Sequence, residues 1–330
     1  MTGDISIANI DAYWPWKEGV TSAPQEGLDE DRLPTISVVT ASYNQGRFIE
    51  ATIRSVLEQN YPRLEYLIID GGSTDESVDM IRRYEDRIDY WVSEPDQGQT
   101  HAINKGFERS SGEIMCWINS DDMLCPDALF QVARTWIETG FDALTGHTQF
   151  IQEDGSPEGR RYRAVIPDLN DLLALSGAAI PPQQSTFWTR GLWELCGPLK
   201  NEYYYIMDWE LWMRFRASGV KWLKIDTDLA LFRHHEAQKI HDIGNNIKVL
   251  DEKIRALDEF RFSKWATPAL GKRAELGIDR ARIARSFLEH RRKCTTAPFA
   301  LRWLLVGLKE PAWLGRRTYY RSLLRGLSGK

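Results

Sequence analysis

The chain has 330 residues, 42% hydrophobic and 27% charged, with a formal net charge of −5, a length that holds one large domain or two modest ones. Cys116, Cys125, Cys196 and Cys294 show neither metal-ligand spacing nor a disulfide framework, and no stretch approaches the roughly 20 apolar residues of a membrane span. With a polar N-terminus that lacks a charged-then-apolar leader, this composition predicts a cytoplasmic protein and argues against a secreted scaffold or an integral membrane protein.

The charge is unevenly placed. From Arg280 to Lys330 there are 13 lysines and arginines against 2 acids, a net +11, so the remainder carries −16. An acidic body with a basic tail argues against nucleic acid as the partner and towards an anionic surface.

Residues 1–34 show no periodicity and form a lead-in segment, with Tyr13, Trp14 and Trp16 expected to pack. From Thr35 the pattern becomes regular. Ile36–Thr40 is a β-branched strand, Ala41–Gly46 a turn, and Ile49, Ile53, Val56 and Leu57 recur at helical spacing until Asn60-Tyr61-Pro62. A second strand, Glu65–Ile69, runs into Asp70-Gly71-Gly72-Ser73-Thr74-Asp75 and a helix bearing Val78, Ile81 and Tyr84. A third strand near Ile88–Val92 precedes Ser93-Glu94-Pro95-Asp96-Gln97-Gly98-Gln99 and a helix over Thr100–Arg109. Four strand–loop–helix units in succession predict a Rossmann-like α/β fold with a mostly parallel sheet and right-handed crossovers.

The fourth strand, Ile114–Ile118, ends in Asn119-Ser120-Asp121-Asp122 before Pro126. A buried strand thus delivers two adjacent carboxylates to its C-terminal edge, where open α/β sheets bind ligands. Adjacent carboxylates repel unless a cation or hydrogen-bond donors offset them. The plainer alternative is a turn that caps the following helix. Every strand-end loop is polar: Ser42 and Asn44, then Asp70, Ser73 and Asp75, then Asp96 and Gln99, then Asn119, Asp121 and Asp122. No Gly-x-Gly-x-x-Gly or Gly-Lys-Ser/Thr loop follows the first strand, which disfavours dinucleotide and P-loop folds.

Those four stretches, Thr40–Gly46, Ile69–Asp75, Ser93–Gln99 and Asn119–Asp122, stand in the order of the signatures of glycosyltransferase family 2, which they resemble. The resemblance spans roughly residues 35–240. It implies a GT-A fold and an inverting, nucleotide-sugar-dependent transferase with a divalent metal cofactor, Mn²⁺ or Mg²⁺. It further implies that Asp70 accepts from the uracil N3–H of a UDP-sugar donor. Thr40, Ala41, Ser42, Asn44, Asp96, Gln99 and Asn104 would line the nucleotide-sugar, and Asp121 would meet ribose or sugar hydroxyls. Asp122 would bind the metal. Ser120 departs from the family's acidic triplet, which weakens the implied metal dependence.

Further along, Pro126–Glu138 reads as a helix, Ala143–Leu144 as a strand, Glu153–Arg163 as a solvated loop with Arg160, Arg161 and Arg163, and Leu169–Leu175 as a short helix. Asp208 opens a helix bearing Leu211, Trp212 and Phe215, a position that suits a cap. The resemblance instead makes Asp208 the base that deprotonates the acceptor hydroxyl, with Glu210 structural and Gln183 at the acceptor. Arg233-His234-His235 and Gln238-Lys239 resemble a family segment that implies His235 as a second metal ligand, with His234 the competing choice.

Three segments are expected: 1–34, a catalytic domain over 35–240 (nucleotide half 35–125, acceptor half 126–240), and a helical extension over 241–330. In that extension Arg317, Arg321 and Arg325 form a stripe, with Trp303 and Tyr320 among apolar neighbours. A basic amphipathic segment of this kind lies in an anionic membrane interface. It predicts peripheral attachment at the inner face of the membrane and a lipid-linked oligosaccharide acceptor in surface-polysaccharide synthesis. Two alternatives remain: a nucleotidyltransferase that makes nucleotide-sugars, and a non-catalytic sugar-nucleotide-binding module.

Overall fold

The computed structural model describes residues 30–177, 179–236 and 243–293. Tyr13, Trp14, Trp16, Gln238, Lys239, Cys294 and the basic segment from Pro298 lie outside the described residues. Contacts divide the described chain into two compact units. The first holds 30–166, 179–211 and 218–236; the second holds 167–177, 212–217 and 243–293.

In chain order the strands are β1 Ile36–Ser42, β2 Leu64–Asp70, β3 Tyr90–Ser93, β4 Ile114–Asn119, β5 Met123–Leu124, β6 Ala143–Ile151, β7 Pro157–Tyr162, β8 Thr186–Thr189 and β9 Trp222–Arg233. The helices are α1 Gly46–Leu57, α2 Ser77–Arg82, α3 Gln99–Arg109, α4 Ala128–Thr139, α5 Leu169–Ala174, α6 Arg190–Cys196, α7 Met207–Ala217, α8 Ile243–Phe260 and α9 Pro268–Lys293. The strands form one sheet in the order β3-β2-β1-β4-β8-β6-β9-β5, with β7 paired to β6. Pairs β1/β2, β1/β4, β2/β3 and β6/β9 are parallel. Pairs β4/β8, β6/β8, β5/β9 and β6/β7 are antiparallel. The sheet is therefore parallel in its first half and mixed in its second.

The first half follows from the sequence. Every residue of β1 is buried, as a central strand covered on both faces requires. Ile36, Val38, Ile49, Ile53, Val56, Tyr66, Ile68, Ile81, Ile114, Cys116 and Ile118 join one core cluster. Burial raises the Cys116 thiol pKa, so it behaves as a small core hydrophobe.

The second half departs from the expectations. Residues 157–162, expected as loop, form β7, and the short strand at Ala143–Leu144 extends to Ile151. β7 reads Pro-Glu-Gly-Arg-Arg-Tyr and buries none of its residues. Its hydrogen bonds to β6 hold it as an edge strand, so no hydrophobic alternation marks it in the sequence. Arg160 pairs with Glu158, and Arg161 with Asp228.

In the second unit α9 packs against α5 and α8, burying Leu172, Leu173, Leu257, Phe260 and Ile278. Gly277 lets α9 approach the Leu173 carbonyl. Among the described residues no helix is long and apolar enough to cross a membrane.

α3 lies on β1 through Gly106, where an added Cβ would sit 2.5 Å from Val39 Cγ1. A β-branched neighbour in a central strand has little room to yield. Gly106→Ala should therefore lower stability by about 1–3 kcal/mol, outweighing a helix-propensity gain of about 1 kcal/mol. The urea unfolding midpoint checks this, and an unchanged or raised midpoint would show that the contact relaxes.

Candidate functional site

Register brings the strand ends to one level. Ser42, Asp70 and Ser93 are successive partners across β1, β2 and β3, and Ala41 pairs with Asn119 of β4. The four polar loops therefore open along one rim of the sheet.

The loop after β2 is built around Asp70. This carboxylate is fully buried. Its Oδ2 accepts from the backbone N–H of Gly72 at 3.1 Å, from that of Ser73 at 2.8 Å and from Ser93 Oγ at 2.7 Å. Its Oδ1 accepts from Ser73 Oγ at 2.6 Å. Asn44, in the left-handed region at φ 51°, ties the first loop to the second: its Oδ1 accepts from Thr74 N–H at 2.9 Å and its own N–H reaches Ser73 Oγ at 2.8 Å. Asp75 Oδ2 accepts from Gly46 N–H at 2.9 Å, filling one of the open donors at the start of α1. Asp96, half-buried, accepts from Gly98 N–H at 2.6 Å.

The two adjacent acids part company. Asp122 points inward and is 1% exposed. Its Oδ1 accepts from Arg233 N–H at 3.1 Å and its Oδ2 from Asn119 Nδ2 at 3.2 Å. Burial, with the Asp121 charge beside it, raises its carboxyl pKa well above the ordinary aspartate range, against the pull of its bonds to Arg233, Gln184 and Asn119. Asp121 keeps some surface, and its Oδ2 meets His235 Nε2 at 2.9 Å. The His235 ring also lies tilted against Phe48, ring centroids 4.8 Å apart. The helix-cap alternative for this pair is excluded by geometry, because β5 intervenes and Asp127 precedes α4.

Arg233 clamps the corner. Its Nε donates to the Asp121 carbonyl at 3.0 Å, its Nη1 to the Glu153 carbonyl at 2.8 Å, and its guanidinium lies 5.2 Å from the Phe48 ring centroid. Burial lowers its pKa, and the charges of Asp122 and Asp121 oppose that shift. Strand alternation sends the two histidines to different surroundings. His235 is buried on the Arg233 face, whereas His234 pairs with Glu158 at 2.7 Å.

Side-chain hydrogen bonds link the acids to the start of α3, whose next residue contacts α7. Asn119 Oδ1 accepts from Gln99 Nε2 at 2.6 Å. Its Nδ2, besides meeting Asp122, lies 3.4 Å from Gln183 Oε1, while Gln183 Nε2 donates to the Trp117 carbonyl at 2.7 Å. Next to Gln99, Thr100 Oγ1 reaches the Tyr203 carbonyl at 3.1 Å and Met207 Sδ at 3.2 Å. Asp208 follows Met207 in the first turn of α7, half-buried, with its Oδ1 accepting from Trp209 N–H at 2.7 Å. Glu210 is 2% exposed and pairs with Lys200 at 3.2 Å, a structural placement.

Ser42, Asn44, Asp70, Asp96, Gln99, Asp121, Asp122, Gln183 and His235 thus gather along the rim and its supports. Thr40 does not: it is fully buried and its hydroxyl is 3.1 Å from Tyr66 Oη. Asn104 does not either. Its Oδ1 accepts from Leu199 N–H at 3.0 Å and its Nδ2 donates to the Leu199 carbonyl at 2.7 Å, so it holds the loop ahead of α7. Arg233 and Asn119 are the parts sequence reasoning left without a role. An arginine two residues before the expected histidine ligand was the available signal, yet only folding shows it meeting residues some 110 positions earlier.

The donor set can be tested against a divalent ion. Among the described residues no three of His, Cys, Asp or Glu are arranged to hold one. Asp121 offers a partly exposed carboxylate with His235 beside it, while both Asp122 oxygens are taken up by protein donors. That set fits an ion held by one carboxylate and a histidine and completed by phosphate oxygens, as hard cations in phosphate sites commonly are.

A family model described as glycosyl transferase family 2 matches residues 37–197. An uncharacterized glycosyltransferase of Mycobacterium tuberculosis is 34% identical over 167 residues, covering 48% of this chain and 60% of that protein. The putative teichuronic acid biosynthesis glycosyltransferase TuaG of Bacillus subtilis is 36% identical over 128 residues, covering 38% and 50%. The chain thus spans only 60% and 50% of these two relatives' lengths. Among solved structures, residues 1–349 of S. aureus TarS superpose with a TM-score of 0.60 at 14% identity, covering 90% of this chain and 92% of that one. A mannosyltransferase from Pyrobaculum calidifontis in complex with GDP-Man and Mn²⁺ gives 0.56 at 15% identity, covering 96% and 91%. At such identities the likeness is one of fold.

Replacing Arg233 removes a buried cation from beside two acids. Arg233→Met should cost about 3 kcal/mol of stability, the scale for breaking one side of a buried charged network. Denaturant unfolding measures it; a loss indistinguishable from zero would mean the clamp carries no weight.

Proposed function

From the match of residues 37–197 to the glycosyl transferase family 2 model, we propose that the chain moves a sugar from a UDP-sugar to a hydroxyl of a glycan, with inversion at the anomeric carbon. The observation that supports this most is the convergence of four polar loops on one rim, with Asp121, Asp122 and His235 at its centre and with the successive residues Gln99 and Thr100 meeting Asn119 and Met207, the residue before Asp208.

In this reading Asp208 takes the proton from the acceptor hydroxyl as that oxygen attacks from the face opposite the leaving group. Positioning by the loops supplies much of the rate, without a covalent intermediate. Asp121 and His235 would hold a divalent ion, which when bound offsets charge on the diphosphate leaving group. Asp122, clamped by Arg233 and Asn119, keeps the Asp121 side chain turned outward. Ser42, Asn44, Asp96 and Gln99 lie on the nucleotide side, and Gln183 steadies Asn119. The departure from the expected order is that Asp121, rather than Asp122, offers the open carboxylate.

The acceptor is proposed to be a lipid-linked oligosaccharide in surface-polysaccharide synthesis. The likeness to TuaG, a putative teichuronic acid biosynthesis glycosyltransferase, and this chain's basic C-terminal segment support that choice. The same segment supports peripheral attachment to an anionic membrane.

Asp208→Asn should reduce sugar transfer by roughly 10²–10⁴-fold, the usual worth of a general base, while UDP still binds. UDP release from a panel of UDP-sugars in the presence of lipid extract, alongside UDP titration calorimetry, reads both quantities. Turnover close to wild type would remove Asp208 from the base role. Asp121→Asn should weaken the Mn²⁺-dependent part of UDP affinity about tenfold, the loss of one charged ligand. Unchanged Mn²⁺ dependence would place the ion elsewhere.

A further inference from the structure

The turn that joins α8 to α9, in the second unit, contains none of the residues of the site described above. α8 closes on Phe260, which is 3% exposed; two residues later Phe262 is 80% exposed, the most exposed large hydrophobic side chain among the described residues. The turn is held from within. Phe262 N–H donates to the Glu259 carbonyl at 3.1 Å, and Ala266 N–H to the Ser263 carbonyl at 3.1 Å. Ser263 donates twice to the Phe260 carbonyl, from N–H at 3.0 Å and from Oγ at 2.8 Å. Trp265 N–H reaches Ser263 Oγ at 3.3 Å. Arg261 spans the hairpin, from Asp258 of α8 at 3.0 Å to Glu275 of α9 at 2.8 Å. Phe262 is thus carried outward on backbone whose donors at 262, 263, 265 and 266 are already used.

Charge gathers at the same end. From Phe260 to Ala274 there are four basic residues, Arg261, Lys264, Lys272 and Arg273, and no acidic one, in a chain of formal net charge −5. Lys264, Lys272 and Arg273 are exposed. The first turn of α9 has no acid, although a helix N-terminus favours one. Lys264 Nζ lies 4.6 Å from the ring centre of the half-buried Trp265, and the Arg261 guanidinium 5.5 Å from that of Phe262. Aromatic rings flanked by cations suit the boundary between water and lipid, where the rings enter among the headgroups and the cations stay with the phosphates. Backbone donors that are already paired lower the cost of leaving water.

We propose that this turn is a membrane-contact site: Phe262 and Trp265 insert into the interface of an anionic bilayer, with Lys264, Lys272 and Arg273 against its headgroups. It is a second contact, separate from the attachment proposed for the C-terminal segment. That segment follows Lys293, at the other end of α9, roughly 39 Å away at 1.5 Å per residue. Two contacts so far apart hold a protein in one orientation on a surface, which a single one does not.

The full-length protein is sedimented with vesicles of phosphatidylcholine alone and of an equal mixture of phosphatidylcholine and phosphatidylglycerol. Phe262→Ser should lower partition onto the mixed vesicles roughly tenfold, the worth of one aromatic ring withdrawn from the interface. Lys264→Glu should lower it by a similar factor, roughly tenfold, on the mixed vesicles alone. Both side chains are exposed, so an unchanged urea midpoint separates loss of contact from loss of fold. A nitroxide on Phe262→Cys, in a chain carrying Cys196→Ala and Cys294→Ala, should become more accessible to oxygen than to a water-soluble nickel chelate when mixed vesicles are added. Binding through the C-terminal segment alone does not move that signal. Unchanged partition of Phe262→Ser, or a label that stays in water on vesicle-bound protein, overturns this site and leaves the C-terminal attachment standing. If Phe262→Ser instead dissociates a dimer seen by sedimentation velocity without lipid, and vesicle binding is intact, the turn joins two copies of the chain and the membrane assignment falls. Protein that binds neither vesicle overturns both contacts and leaves the sugar-transfer reading untouched.

Discussion

The corner formed by Asp121, Asp122 and Arg233 is the constraint on which the site depends. Two neighbouring carboxylates cannot share an exposure without repelling. The chain resolves this by turning Asp122 into the interior and leaving Asp121 at the rim. Burying Asp122 is unfavourable for its charged form. Hydrogen bonds from Arg233 N–H and Asn119 Nδ2 offset part of that, and the two acids in turn favour the charged form of the buried Arg233 guanidinium. The outward acid is then fixed in direction by its neighbour and by His235.

β9 carries the consequence across the sheet. Because side chains alternate along a strand, Arg233 and His235 serve the acid corner. Phe232 and His234 face the other way, where Phe150 lies 5.5 Å from Phe232 between ring centroids. The parallel pairing of β6 with β9 places that strand end beside the loop of Glu153, whose carbonyl completes the Arg233 clamp. A register shift of one residue in β9 would exchange the two histidines and empty the corner.

Amide side chains do the rest of the joining. Asn119 both accepts, from Gln99, and donates, to Asp122, which a carboxylate at that position could not do. Through Gln99 and Thr100 the start of α3 is tied to the acids on one side and to Met207 on the other. Asn104, a turn later, holds the Leu199 backbone from both ends of its amide. Met207, which precedes Asp208 in the first turn of α7, thus meets the start of α3 through Thr100.

The sequence by itself determined the parallel half of the sheet, the rim and its polar loops. Continuous β-branched runs, helical periodicity and loop chemistry are local properties, and register does the aligning once parallel pairing is granted. It also singled out Asp121, Asp122, His235 and Asp208, through motifs that are contiguous in the chain. Only tertiary structure decided which acid of the pair faces outward, which histidine of the doublet meets Asp121, and that Arg233 is the clamp. It alone showed Thr40 as core, Asn104 as a loop anchor and β7 as a strand, since that edge is held by partners rather than by burial. Each of these depends on contacts between residues distant in sequence, where the pairing energy appears only after the backbone has brought both groups to one place.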